Sequence, residues 1–99
     1  SSLSVVQKDQ VLAAVRQQVE YYFSTENLVK DVFLRSKMDA GGWIPLPVIA
    51  GFNRIRMMTP EPNAVLEAIT GSLIVEIQRT NGPVRVGRFP AIPAFLFYL

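Results

Sequence analysis

The 99-residue chain contains no cysteine and no histidine. Without cysteine there is no disulfide framework, no thiolate metal site and no Cys nucleophile. Without histidine go the commonest general base, the Ser-His-Asp arrangement and most zinc sites. An enzyme is therefore not expected, and no metal or cofactor is called for. No stretch of about 18 apolar residues occurs, so nothing spans a membrane. The opening SSLSVVQKDQ lacks the apolar core of a signal peptide. A cytoplasmic setting is the default, with the nucleus as the alternative. Charge is sparse too: ten basic and eight acidic residues leave a net +2, too weak alone to imply nucleic acid.

About half of the residues (49%) are hydrophobic, enough for one small domain around one core. Residues 1–10 read as a lead-in, with Ser4 or Asp9 as alternative caps for a first helix. From Val11 to Phe23 the apolar residues recur at helical spacing. Ser24, Thr25 and Asn27 are poor in helix interiors and good at caps, so the helix breaks there. A short helical turn over 26–30 and a second helix over 31–37 should follow, the latter burying Phe33, Leu34 and Met38. Asp39-Ala40-Gly41-Gly42 is a turn, and Trp43-Ile44-Pro45 a very short strand.

Leu46 to Phe52 has the spacing of a short helix, with Pro47 in its first turn. Thr59-Pro60-Glu61-Pro62 reads as a helix start with Thr59 as cap, and Gly71 as the stop. Val65, Leu66 and Ile69 would be the apolar face of that helix. Leu73 to Arg79 and Val84 to Arg88 alternate like strands around Asn81-Gly82, a strong signal for a tight hairpin. The expected fold is therefore α+β and helix-rich: a helical core with a C-terminal β-hairpin, the pattern of a winged helix. The uncharged tail 89–99 is too apolar to wave in water. It either docks on the domain or on a protein partner, or marks a cut through a longer chain.

Helical projection places Gln18, Tyr21 and Tyr22 together on one surface at the end of the first helix. Taken singly, each has a plainer reading: Tyr22 as core with a wet hydroxyl, Tyr21 as a shield, Gln18 as solvated. Taken together they suit a flat aromatic ligand. Bases stack on Tyr and Phe rings at roughly 1–3 kcal/mol each, and amides hydrogen-bond base edges. Asp31 would ordinarily favour a helix start through the dipole. Beside RNA, its carboxylate repels phosphate but accepts hydrogen bonds from the 2′- and 3′-hydroxyls of a terminal ribose. Phe33 and Phe52 are core candidates that also lie within reach of this patch. Lys30, Arg35, Lys37, Arg54 and Arg56 are candidate phosphate contacts or, equally, a solvated basic face.

These residues carry a resemblance. QVEYYFSTENLVKD followed by FL, then GWIPLPVIAGFNRI, then NAVLEAI closely resemble the La motif of La and La-related proteins, from about Val11 to Arg88. The resemblance implies an elaborated winged helix over residues 11–88 that binds single-stranded RNA 3′ ends without catalysis. It implies RNA contacts at Gln18, Tyr21, Tyr22, Asp31, Phe33 and Phe52. FLRSKMDAGGWIPLPVIAGF is most similar to the first La-related branch, which implies binding of adenine-rich mRNA 3′ ends and control of mRNA stability and translation. FNRI is nearer genuine La, which implies oligo(U). A monomer is expected. Two other classes stand beside this reading: a winged helix on duplex DNA, and a protein-interaction module using the tail. The third-helix segment LPVIAGF is nearly all apolar and lacks side chains for base edges, which counts against duplex DNA.

Overall fold

Val15, Val19 and Phe23 stand four residues apart, and all three are fully buried. Val15 and Val19 belong to a first helix, α1, which spans Ser2–Tyr22, and Phe23 follows directly after its last residue, continuing the stripe into the core. The computed structural model describes residues 2–79 and 81–92, with side chains from residue 4 onward. Residues 4–10 belong to α1 and are all exposed. Neither Ser4 nor Asp9 caps the helix, because it continues back to Ser2. Nothing between them breaks a helix: there is no Gly or Pro, and isolated polar side chains on an exposed face are tolerated.

The chain then turns twice, each time through a side-chain cap. Ser24 begins α2 (Thr25–Leu28), its hydroxyl accepting from the Asn27 amide at 3.2 Å. Asp31 begins α3 (Val32–Ser36), its Oδ1 accepting from the Leu34 N–H at 2.9 Å. The expected burial in α3 is partly reversed. Leu34 is buried as expected and Met38 half-buried, but Phe33 is 61% exposed while Arg35 is buried. Arg35 turns inward because its Nη1 donates to the Leu28 carbonyl at 2.6 Å, while its aliphatic stem needs no water.

Asp39 closes the next turn, accepting from the N–H groups of Gly41 and Trp43. A short strand β1 (Ile44–Pro45) leads into α4 (Leu46–Ala50). The expected helix through Phe52 ends early. Gly51 caps α4, and Phe52 is extended (φ −65°, ψ 140°) at the start of α5 (Asn53–Arg56). The next helix, α6 (Pro62–Ile69), starts two residues later than a cap at Thr59 would have it. A residue before proline avoids the helical region, and Glu61 is accordingly extended (φ −98°, ψ 113°), leaving Pro62 as the first helical residue. Its buried face is Val65, Ala68 and Ile69, with Leu66 half-buried. Gly71 follows the helix at φ +83°, a conformation that favours glycine.

Strands β2 (Val75–Gln78) and β3 (Arg85–Arg88) pair antiparallel, and β3 also pairs with β1, giving the sheet order β1-β3-β2. The tight Asn81-Gly82 turn does not form. The last pair is Gln78 with Arg85, too far apart in sequence for a two-residue turn, and Gly82 lies outside the left-handed region. Pro83 explains this, since the residue before proline is pushed to extended backbone. Trp43 lies flat on Gly87, where a Cβ would stand 2.8 Å from Cε3 of the indole. Of the tail, Phe89 still donates its N–H to the Ile74 carbonyl at 2.7 Å and is 57% exposed. Residues 93–99, on which the docking expectation mostly rests, lie outside the described residues.

Candidate nucleic-acid interface

The breaks between helices decide where the site forms. Tyr22 is the last residue of α1, Asp31 caps α3, Phe33 is on its second position, and Phe52 occupies the α4–α5 turn. Had α4 continued through Phe52, that ring would have followed the helix face; the extended backbone at Phe52 carries it to Tyr22 instead. The Tyr22 and Phe52 rings meet edge to face, 5.4 Å apart at 79°. The Phe52 and Phe33 rings follow at 6.1 Å and 55°. The three rings form a row from two half-buried members to one in open solvent. Tyr22 and Phe52 are anchored on the core; Phe33 presents its ring outward.

Asp31 sits beside this row with both carboxylate oxygens engaged once. Oδ1 accepts from Leu34 N–H, and Oδ2 accepts from the Asn27 side-chain amide at 3.0 Å. The same Asn27 nitrogen donates to the Tyr22 carbonyl at 2.9 Å. Asn27 is 5% exposed. It therefore pins the end of α1 to the start of α3, a role that a reading of Asn27 as a helix breaker misses. Each oxygen of a carboxylate has room for a second donor, so Asp31 keeps two free acceptor positions.

Gln18 hydrogen-bonds the Tyr22 side chain. Burial raises the Tyr22 hydroxyl above its ordinary pKa; the Gln18 bond and the Arg54 charge oppose that rise, and Asp31 adds to it. Tyr21 does not join the ring row. It is exposed and lines a cleft with Gln18, Arg54 and Met58. The Lys30 ammonium stands 5.9 Å from the Tyr21 ring centroid and bonds the Tyr21 side chain, which raises the lysine pKa. The Lys37 ammonium stands 5.2 Å over Phe33. Of the candidate cations, then, Lys30, Lys37 and Arg54 reach the rim. Arg35 does not, being buried against Leu28, and its reading as a phosphate contact is corrected accordingly. Arg56 is exposed on α5, and no described contact ties it to the site. Among the described residues no three His, Cys, Asp or Glu side chains are grouped to hold a metal ion, and no helix is long and apolar enough to cross a membrane.

A helical body with an antiparallel β-wing is the winged-helix class, and the comparison with solved structures agrees. The La autoantigen N-terminal domain matches with a TM-score of 0.68 and 32% identity, covering 78% of this chain and 84% of that one. The La domain family model matches residues 15–71, more than half of the chain. The protein belongs to the La domain family, a family of RNA-binding modules. Among its relatives, the La RNA-binding domain-containing protein LHP1 of Cryptococcus neoformans is 51% identical over 61 residues, 62% of this chain and 7% of its own length. La-related protein 1B of Arabidopsis thaliana is 49% identical over 61 residues, 62% of this chain and 14% of its own length. The chain thus spans only a small part of these relatives.

Proposed function

We propose that this domain grips the 3′ end of single-stranded RNA and performs no catalysis. One observation carries the reading: a carboxylate with two unused acceptor positions stands beside a row of three aromatic rings. A terminal ribose has two neighbouring hydroxyls and no following phosphate. Its hydroxyls match the two acceptors left on Asp31, whereas a 3′ phosphate would meet the carboxylate's charge. The exposed Phe33 ring is the stacking surface for a base, with Tyr22 and Phe52 fixing its position. Gln18, held against Tyr22, offers an amide to a base edge or sugar. Lys30 and Lys37 at the rim meet phosphates.

The RNA we assign is the adenine-rich 3′ end of mRNA, and the role is in mRNA stability and translation in the cytoplasm. Support comes from the similarity to La-related protein 1B and from the sequence run through FLRSKMDAGGWIPLPVIAGF. The test is direct binding of A-, U-, C- and G-oligomers carrying either a free or a phosphorylated 3′ end. The A-oligomer with a free end binds best, and 3′ phosphorylation weakens it by about tenfold or more, as loss of charge-assisted hydrogen bonds requires. Equal binding of the two ends would remove the role given to Asp31.

A further inference from the structure

Val75 and Val86 turn one face of the sheet to the core; the opposite face is apolar at one end and open to solvent. Residues two apart along a strand share a face, so Phe89 lies on the side of β3 where Trp43 covers Gly87. Ile74 stands opposite Phe89, its carbonyl accepting the Phe89 N–H at 2.7 Å. Trp43, Phe89 and Ile74 thus form an apolar row where β1 and β2 begin and β3 stops. Glu76, opposite Gly87, borders it. Phe89 and Ile74 are exposed and Trp43 is half-buried, while Leu73, next along the chain, is 88% exposed. The described end of the chain already returns to this face. A Cβ on Gly42 would stand 3.3 Å from the Ile92 carbonyl oxygen. Ala91 and Ile92, with Trp43 and Gly87, wall a cavity that retains only about 10 Å³, the room of a single water.

We propose that residues 93–99 of this same chain fold back onto the row and make the outer face of the wing a seat filled in cis. These residues, PAFLFYL, carry no charge, and Phe95, Leu96, Phe97, Tyr98 and Leu99 all gain by leaving water. They follow directly on Ile92, which already borders Trp43. Seven residues reach up to about 23 Å. From Trp43 to Ile74 the row crosses two strand spacings, about 10 Å, so the segment is long enough to cover it. An apolar segment tethered beside an apolar patch meets it at an effective concentration in the millimolar range. A second copy, or another protein, would have to exceed that concentration to take the seat. None of the residues around Asp31 takes part, so the inference stands apart from the RNA reading.

Trp43 is the single tryptophan of the chain, so its fluorescence reports on this face. The experiment compares the whole unaltered chain with a tail variant carrying Phe95→Ser and Phe97→Ser, with Ile74→Ser, and with all three changes combined. Ile74 is exposed, so its replacement spares the core, and circular dichroism checks that each variant keeps its helices. In the tail variant the Trp43 emission shifts to longer wavelength and acrylamide quenches it more strongly. Ile74→Ser gives part of the same change. The combination gives no more than the tail variant alone, because both act on one contact and such changes do not add. Sedimentation velocity shows a monomer throughout. A Trp43 signal unchanged in the tail variant overturns the proposal. So does strict addition of the two effects. An unaltered chain that sediments as a dimer, and a tail variant that does not, also overturn it, because the occupant is then a second copy.

Discussion

The side-chain amide of Asn27 donates to Oδ2 of Asp31 across 3.0 Å, one helical turn apart in sequence. The bond makes the candidate ligand group part of the scaffold. Asn27 also holds the Tyr22 carbonyl, so its loss strands two acceptors in a largely closed environment. Asn27→Ala is expected to cost about 1–3 kcal/mol, the penalty for unsatisfied buried partners. Urea denaturation followed by circular dichroism measures it. A cost below about 0.5 kcal/mol would mean that the bond holds nothing.

Asp31 has two jobs that substitution can separate. Asp31→Ala removes the cap of α3 and should cost about 1 kcal/mol of stability. Asp31→Asn keeps a good capping residue, although its amide nitrogen then faces that of Asn27. The asparagine variant should therefore be the more stable of the two, while both lose the preference for a free 3′ hydroxyl. Thermal melts and the paired 3′-hydroxyl and 3′-phosphate titrations check the two halves independently.

Phe33 and Phe23 are the same residue type with opposite consequences. Phe33 is 61% exposed and Phe23 is fully buried. Phe33→Ala should change stability by no more than about 0.5 kcal/mol, yet weaken RNA binding by about 1–3 kcal/mol through lost stacking. Phe23→Ala should cost about 3–5 kcal/mol of stability. Chemical denaturation and fluorescence anisotropy with labelled RNA distinguish the pair; a Phe33→Ala variant with undiminished affinity would sink the stacking role.

Alkaline pH supplies a further check. Burial holds the Tyr22 pKa above its ordinary value of 10.0. The unfolded chain releases this proton first, so the folded state binds more protons in the window above pH 10. The contribution is fully present below that pH and is lost as pH rises through the folded-state value. Tyr22→Phe removes this loss and makes the stability profile flatter above pH 10. Denaturation midpoints of the two proteins, taken on both sides of pH 10, measure the difference.

Much of this architecture was legible from local chemistry. The break after Phe23, the capping position of Ser24, the helix start at Asp31 and the presence of two strands follow from side-chain size and hydrogen-bonding preference, although β2 begins two residues after the alternation at Leu73 does. Proline was the commonest source of error. Pro62 delayed α6 and Pro83 opened the hairpin, because each constrains the residue before it more than the apparent turn signal does. The inversion at α3 is different in kind. Hydrophobicity assigns Phe33 inside and Arg35 outside. The Asp31 cap and the Leu28 carbonyl set the rotation of that five-residue helix instead, and a helix so short has too small an apolar face to resist. Asn27 was visible only as a breaker, since its partners, the Tyr22 carbonyl and the Asp31 carboxylate, meet only after the turn is made.

The first helix also acts as a ruler. Its residues 4–10 are all exposed, with Lys8 reaching Glu67 of α6 at 3.6 Å, while Tyr22, at its other end, begins the ring row. From Ser4 to Tyr22 a straight helix advances about 27 Å. Whatever is attached near Ser4, whether a dye, a surface or more polypeptide, is held roughly that far from the ring row. A reporter placed there can follow RNA arrival by distance without competing for the site.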